Sequence, residues 1–253
     1  MDNLEIIVRG KGSDISSDFD EPIKIPVESH LARIGLKSFA TFNNIPNVIE
    51  GVNNRVKIKV PGQPSKIFQL ETGAYELSNI SRHMIAWIET NFPKLTDVDE
   101  NFKLSGNNAT SKAEFLFRDD YGIDFEVEAS LNKLLGFDKT DHFEGVGLYH
   151  GKRIVDITNV TQLIFNCNVT SCNYINGKEM PFLFSCGIDV PAGFRMGREL
   201  TDISYKNLTT TAISHIRIWI VDEFGLPVNL RKDDLTVTLS LVFIPLVTKV
   251  AVG

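Results

Sequence analysis

The chain of 253 residues has three cysteines, Cys167, Cys172 and Cys186, and no CxxC pair. A chain of this length buries enough surface to fold without disulfide or metal staples, so the odd count favours reduced thiols and synthesis inside a cell. No apolar run approaches the roughly 18 residues that a spanning helix needs. The first residues, MDNLEIIVRGKG, lack a basic region, an apolar stretch and a small-residue cleavage site, so no signal peptide is expected and the protein is not expected to be secreted. The five Asn-x-Ser/Thr matches at Asn79, Asn108, Asn159, Asn168 and Asn207 are then expected to stay unmodified. Basic charge is also short: 26 Lys and Arg against 32 Asp and Glu give a net charge of −6. Affinity for duplexes comes mostly from Lys and Arg neutralising phosphates, so no specific nucleic-acid binding is expected. No repeat of 20–50 residues sets up a propeller or solenoid.

What the sequence does have is a period of two. Leu235, Val237, Leu239, Leu241 and Phe243 alternate with Thr236, Thr238, Ser240 and Val242. Ile216, Ile218 and Ile220 alternate with His215, Arg217 and Trp219, and Leu163, Phe165, Cys167 and Val169 with Gln162, Ile164, Asn166 and Asn168. Val56, Ile58 and Val60 face away from Arg55, Lys57 and Lys59 in the same way. Such runs mark half-buried strands. Turn residues punctuate them at Asp119–Gly122, Asn176-Gly177 and Asp222–Gly225, a pattern of short closed strands that fits a sandwich or barrel.

Two stretches break the pattern. Leu77, Ile80, Met84 and Ile88 recur at helical spacing before Pro93 stops the ladder, and a shorter helix is expected at Leu131–Leu135. Both read as insertions packing on the sandwich. Residues 1–30 read as an extended N-terminal arm or edge segment, because Pro22 and Pro26 interrupt the Ile23, Ile25, Val27 alternation and remove ladder donors. The domain proper is expected over 31–244, followed by an apolar tail over 245–253.

Reactive constellations are hard to find. His142 and His150 flank a Gly-rich stretch, but no His-x-His pair exists to place two metal ligands on one strand face, so loop histidines are the expectation. Asp124 and Glu126 beside Asp119 and Asp120 read as a solvated hairpin face, with no cleft to hold a carboxylate pair for glycoside hydrolysis. His83 lies mid-helix without a nucleophile, and no Gly-x-Ser-x-Gly elbow is present. Lys57/Lys59 and Lys152/Arg153 read as solvated, Gly145-Val146-Gly147 lacks a nucleotide-binding context, and the cysteines read as packed thiols. The reading is a non-enzyme with no cofactor and no metal, an all-β protein that assembles.

Specific words add to this. The segments IGLKSFATFNNIPNVIEGVNN (Ile34–Asn54), FQLETGAYELSNI (Phe68–Ile80), LNKLLGF (Leu131–Phe137) and VDITNVTQLIFNCNV (Val155–Val169) come first in order. They are followed by YINGK (Tyr174–Lys178), PAGF (Pro191–Phe194) and ISHIRIWIVDEFGLPVNLRKDDLTVTLSL (Ile213–Leu241). In this order they resemble the penton (minor capsid) proteins of Polinton/Maverick elements and the related adintoviruses. Departures are Phe224 and Lys232-Asp233 in the final turn and the apolar tail after Pro245.

The resemblance implies a single jelly-roll β-sandwich, with two four-stranded antiparallel sheets and one or two inserted helices. It implies a homopentamer at the fivefold vertices of an icosahedral capsid, with a trimeric double jelly-roll major capsid protein as partner and no membrane. It further implies a place in the virion, after synthesis in the host cytoplasm and assembly in the nucleus or cytoplasm. A closed ring of wedges needs covered strand edges. Ile23, Ile25 and Val27 in the arm and Leu246, Val247 and Val250 in the tail are therefore the candidate assembly contacts. The competing reading is a receptor- or glycan-binding sandwich using Tyr121 and Tyr149.

Overall fold

A computed structural model describes residues 3–26, 29–157, 160–175 and 177–245. It divides the chain into two compact units, residues 1–45 with 160–253, and residues 46–159.

The first unit holds eight main strands: β1 (Asn3–Lys11), β2 (Asp14–Lys24), β3 (Ser29–Phe42), β4 (Gln162–Cys167), β5 (Phe182–Gly187), β6 (Arg195–Glu199), β7 (Ala212–Val221) and β8 (Asp234–Pro245). One sheet has the order β1-β8-β3-β6, with the short strand Lys206–Asn207 also on β3, and the other has the order β5-β4-β7-β2. Every pairing is antiparallel. The first strand therefore pairs with the eighth, the second with the seventh, the third with the sixth and the fourth with the fifth. That nested set describes one long hairpin rolled onto itself, closed by the β8–β3 and β7–β4 pairings. It is a single jelly-roll.

The alternating residues make the core between the sheets. Leu235, Val237, Leu239 and Leu241 of β8 meet Ile216, Ile218 and Ile220 of β7, together with Leu163, Phe165 and Cys167 of β4. The Phe39 and Phe165 rings lie 4.8 Å apart across the two sheets. Burial of each such aliphatic side chain stabilises by about 2 kcal/mol relative to exposure. One expectation is corrected here. Ile164 and Asn166 of β4 and Ser240 of β8, assigned to a mostly polar outer face, are also buried. A central place in the sheet does not by itself bury that face, since β7 is central and leaves Arg217 exposed. Ser240 is covered by Tyr205, whose hydroxyl lies 3.0 Å from its own.

The second unit has its own core. Its four-stranded sheet runs Lys66–Gln69, Arg55–Lys59, Gly122–Asp124, His142–Glu144, and its three-stranded sheet runs Gly147–His150, Lys112–Phe117, Phe102–Asn107. Helix α1 (Leu77–Asn91) buries Ile80, Ser81, Met84 and Ile88, all but Ser81 on the stripe that the spacing marks. Phe102, Phe115, Phe117, Tyr121, Phe125 and Phe137 join them, with Phe125 and Phe137 stacked at 4.9 Å.

The division of the chain therefore differs from the expected arm at 1–30, domain at 31–244 and tail. The arm supplies β1 and β2 of the jelly-roll, and the Pro22 and Pro26 signal marks an edge strand, β2 being the last of its sheet. Pro22 falls where the β2–β7 register slips, between the Ile23↔Ile213 and Asp18↔His215 pairs, as a residue without a ladder donor requires. Helix α1 and the one-turn helix Asn132–Leu135 pack in the core of residues 46–159, not on the sandwich. The tail after Pro245 lies outside the described residues.

Candidate assembly surfaces

Antiparallel pairing sends successive jelly-roll strands in opposite directions, so the β1–β2, β3–β4, β5–β6 and β7–β8 connections share one end of the sandwich. Hydrogen bonds tie that end together. Asn43 Nδ2 donates to the Val190 carbonyl at 2.7 Å, the Asn43 amide to the Phe194 carbonyl at 2.9 Å, and the Gly12 amide to the Asp233 carbonyl at 2.8 Å. Asn44 Nδ2 also donates to the Asp233 carboxylate. The chain leaves for residues 46–159 from this same end.

Large apolar side chains stand exposed in these connections. Phe194 between β5 and β6 is 62% exposed, and Phe224 and Leu226 between β7 and β8 are 70% and 62% exposed. Leaving such side chains in water forgoes their transfer energy, and exposed apolar groups gathered on one region mark interaction surfaces. Sequence reasoning noted Phe224 only as a departure and Phe194 only within PAGF. The available signal was an aromatic residue inside a Gly-containing turn.

The named assembly contacts fare differently. Ile23 and Ile25 are half-buried and pack against the jelly-roll core of their own chain, so they belong to the sandwich at its β2 edge. Val27, Leu246, Val247 and Val250 lie outside the described residues.

Charged pairs line the outer face of the β2–β7 edge. Arg217 donates to Asp14 through Nε at 2.9 Å and a terminal nitrogen at 2.6 Å, and its guanidinium sits 5.2 Å from the Trp219 ring. That hydrogen bond holds the Asp14 carboxyl below its ordinary value. His215 Nδ1 lies 2.8 Å from Asp18. Lys37 pairs with Glu5 on the opposite sheet. Pairs this exposed contribute about 0–1 kcal/mol each and act mainly on which surfaces can approach.

In residues 46–159 the suspected reactive groups neutralise one another. Lys57 meets Asp124 at 2.9 Å, while Lys59 bridges Asp120 at 3.1 Å and Glu144. The Lys59 hydrogen bond lowers the Glu144 carboxyl. Burial pushes Asp124 up, but the Lys57 ammonium and the Glu126 amide together outweigh it, leaving this carboxyl lowered. The Asp119–Gly122 turn joins strands of two different sheets, not a hairpin as expected. His142 and His150 stand on strands, not loops, beside Glu144 at 3.3 Å and Glu114 at 3.0 Å. Among the described residues no group of three or more His, Cys, Asp or Glu could hold a metal ion.

Two further expectations are corrected. Tyr121 is buried at 1% exposure in the aromatic core, and Tyr149 is half-buried with its hydroxyl donating to the Glu144 carbonyl at 2.8 Å. Neither offers an open ring to a sugar. Cys167 and Cys186 are packed thiols, each pushed up to about 11 by burial, but Cys172 is exposed.

One residue was missed altogether. The Glu223 carboxylate accepts hydrogen bonds from the Thr161 hydroxyl at 2.6 Å, the Thr161 amide at 3.2 Å and the Gln162 amide at 3.4 Å. It holds the chain where it re-enters the jelly-roll at β4. Acceptance of distant backbone amides leaves no mark in a linear pattern.

No family model matches the chain, and no curated protein does. Among solved structures it is similar to the mavirus penton protein, whose crystal structure aligns over 96% of this chain and 100% of that one, at 12% identity and a TM-score of 0.49.

Proposed function

We propose that this chain is a structural capsid protein, a vertex subunit that closes into a homopentamer at the fivefold positions of an icosahedral shell. Its partner there is a double jelly-roll major capsid protein, and its place is the virion. The observation that carries the reading is the single jelly-roll whose loop-bearing end presents Phe194, Phe224 and Leu226 to solvent. Support also comes from the penton-like words, which run in order through both the jelly-roll and residues 46–159.

A vertex needs shape more than reactivity. Each subunit offers one side surface to a different surface of the next, a heterologous contact that a rotation of one fifth of a turn closes. A permanent ring of this kind buries on the order of 2,000 Å² per contact. An open edge such as β2 would pair without control unless a neighbour covers it, and Leu246, Val247 and Val250 of the apolar tail are the candidates for that contact between subunits.

Light scattering on the purified full chain tests the reading. A native mass five times the 28.3 kDa chain mass is expected. A Phe194→Ser/Phe224→Ser variant, altered only at exposed sites, is expected to keep its melting temperature and dissociate. A different closed ring size, or a monomer that stays monomeric with the major capsid protein present, overturns it. Removal of residues 246–253 with the mass unchanged takes the tail out of the interface.

A further inference from the structure

Residues 46–159 carry a groove along α1 that nothing in a purely structural role requires. It consists of two adjoining recesses of about 440 and 430 Å³ that share Tyr75, His83 and Ala86. The helical repeat explains it. His83, exposed, and Trp87, half-buried against the core, follow one another at a spacing of four along α1, and exposed Ala86 beside them is too small to fill the space between their rings. Tyr75, on the segment leading into the helix, stands edge-on to His83 with ring centres 5.5 Å apart. Trp87 is held edge-on between Phe68 at 5.8 Å and Phe92 at 6.0 Å, so its ring is fixed before any ligand arrives.

The rim is polar in a particular way. Asn79 and Arg82 border one recess, and Gln69, Glu71 and Asn91 the other. These are planar amide, guanidinium and carboxylate groups that donate or accept two hydrogen bonds in a fixed plane. One guanidinium, Arg82, borders the first recess and donates to the Asn79 amide oxygen, and one carboxylate, Glu71, borders the second, so the formal charges of the lining cancel. Aromatic faces backed by a few oriented polar groups are the general form of a small-ligand site. Flat C–H faces that stack on aromatic rings, with neighbouring hydroxyls at their margins, are the chemistry of pyranose rings.

We propose that this groove binds a neutral oligosaccharide, two or three pyranose units lying along α1. The rings would stack on Trp87 and on the Tyr75/His83 pair over Ala86, with hydroxyls bonded to the Asn79, Arg82 and Glu71 side chains. The proposal does not rest on assembly, since every lining residue lies within residues 46–159, and a monomeric protein could carry the same site.

The test uses the full-length protein on an array of neutral and sialylated oligosaccharides and unrelated peptides, followed by titration of neutral trisaccharides with tryptophan fluorescence and calorimetry. Binding of at least one neutral oligosaccharide at millimolar concentration or below is expected. His83→Ala is expected to weaken it by about tenfold. Ala86→Arg fills the groove from an exposed helix position without removing a contact, and is expected to abolish binding with the melting temperature unchanged. Native mass measured on the same variants separates this result from the oligomeric state. No neutral saccharide binding, binding confined to peptides or sialylated glycans, or binding that survives Ala86→Arg each overturns the proposal.

Discussion

Gly136 shows how much one residue can decide. It ends the Asn132–Leu135 turn with φ 77°, receiving the left-handed conformation that an L side chain adopts only at a cost. A Cβ at this position would stand 2.3 Å from the Arg153 carbonyl oxygen. Gly136→Ala is therefore expected to destabilise by about 2–3 kcal/mol, the strain and the clash adding, read as a lowered midpoint in urea unfolding. Glu223 works through charge. Burial raises its carboxyl, but the Thr161 hydroxyl and the backbone amides around it outweigh that, so it sits below its ordinary value. A depressed carboxyl contributes stability that is present above its unfolded value and lost as pH falls through the folded one. Glu223→Gln is expected to cost about 1 kcal/mol at neutral pH, with the difference from the parent shrinking as pH drops below about 4.5. Equal differences at pH 7 and pH 3 in denaturant titrations would remove the charge from that account. The thiols divide by the same physics. Cys172 is expected to react with a maleimide in the native protein while Cys167 and Cys186, buried and raised to about 11, wait for unfolding; mass spectrometry of the labelled protein reads this directly.

At the scale of elements, periodicity is legible where one face of an element meets a core and the other meets water. Helix α1 follows its stripe, and Ile80, Met84 and Ile88 are fully buried. Met84→Ala is expected to cost about 3 kcal/mol, the transfer term plus the cavity left behind, measured by thermal or denaturant unfolding. Strand β7 alternates as written in its residues, and β8 does so except at Ser240, which is fully buried on the polar side of the alternation and bonded to Tyr205 and Asn3; Pro22 marks an edge and a register slip. The alternation fails at Ile164 and Asn166 because a central strand's burial depends on what lies over it, which its own residues do not encode. The assembly surface was less legible for a related reason. Ile23 and Ile25 look like free apolar contacts along the chain, but their facing core comes from strands near the far end of the sequence. Phe194, Phe224 and Leu226 look like turn residues until the topology gathers their loops at one end.

The whole molecule shows what linear pattern could not supply. Both units alternate apolar and polar residues with the same period, so nothing in residues 43–54 or 155–161 announces that the chain leaves one core and later returns to it. Long-range pairing alone separates them: β3 joins β8 and β6, while every strand of residues 46–159 pairs within that segment. Asn47 makes the insertion nearly closed at its base. Its Nδ2 donates to the Tyr75 carbonyl at 2.7 Å and the Ile157 carbonyl at 2.9 Å, and its Oδ1 accepts the Tyr75 amide at 2.8 Å. The entering and leaving segments thus lie within one side chain's reach, the geometry of an inserted domain. A segment of this size, with two sheets, a helix and an aromatic cluster of its own, buries about two-thirds of its unfolded surface without help. Residues 46–159 expressed alone are therefore expected to fold, with near-ultraviolet circular dichroism from the packed tyrosines and tryptophan and a single cooperative melt. Asn47→Ala in that fragment is expected to lower the melt by loosening the base, with the core signal intact below the transition. A fragment with helical far-ultraviolet signal but no near-ultraviolet signal and no cooperative transition would show that its packing needs the jelly-roll, and that the two cores fold as one.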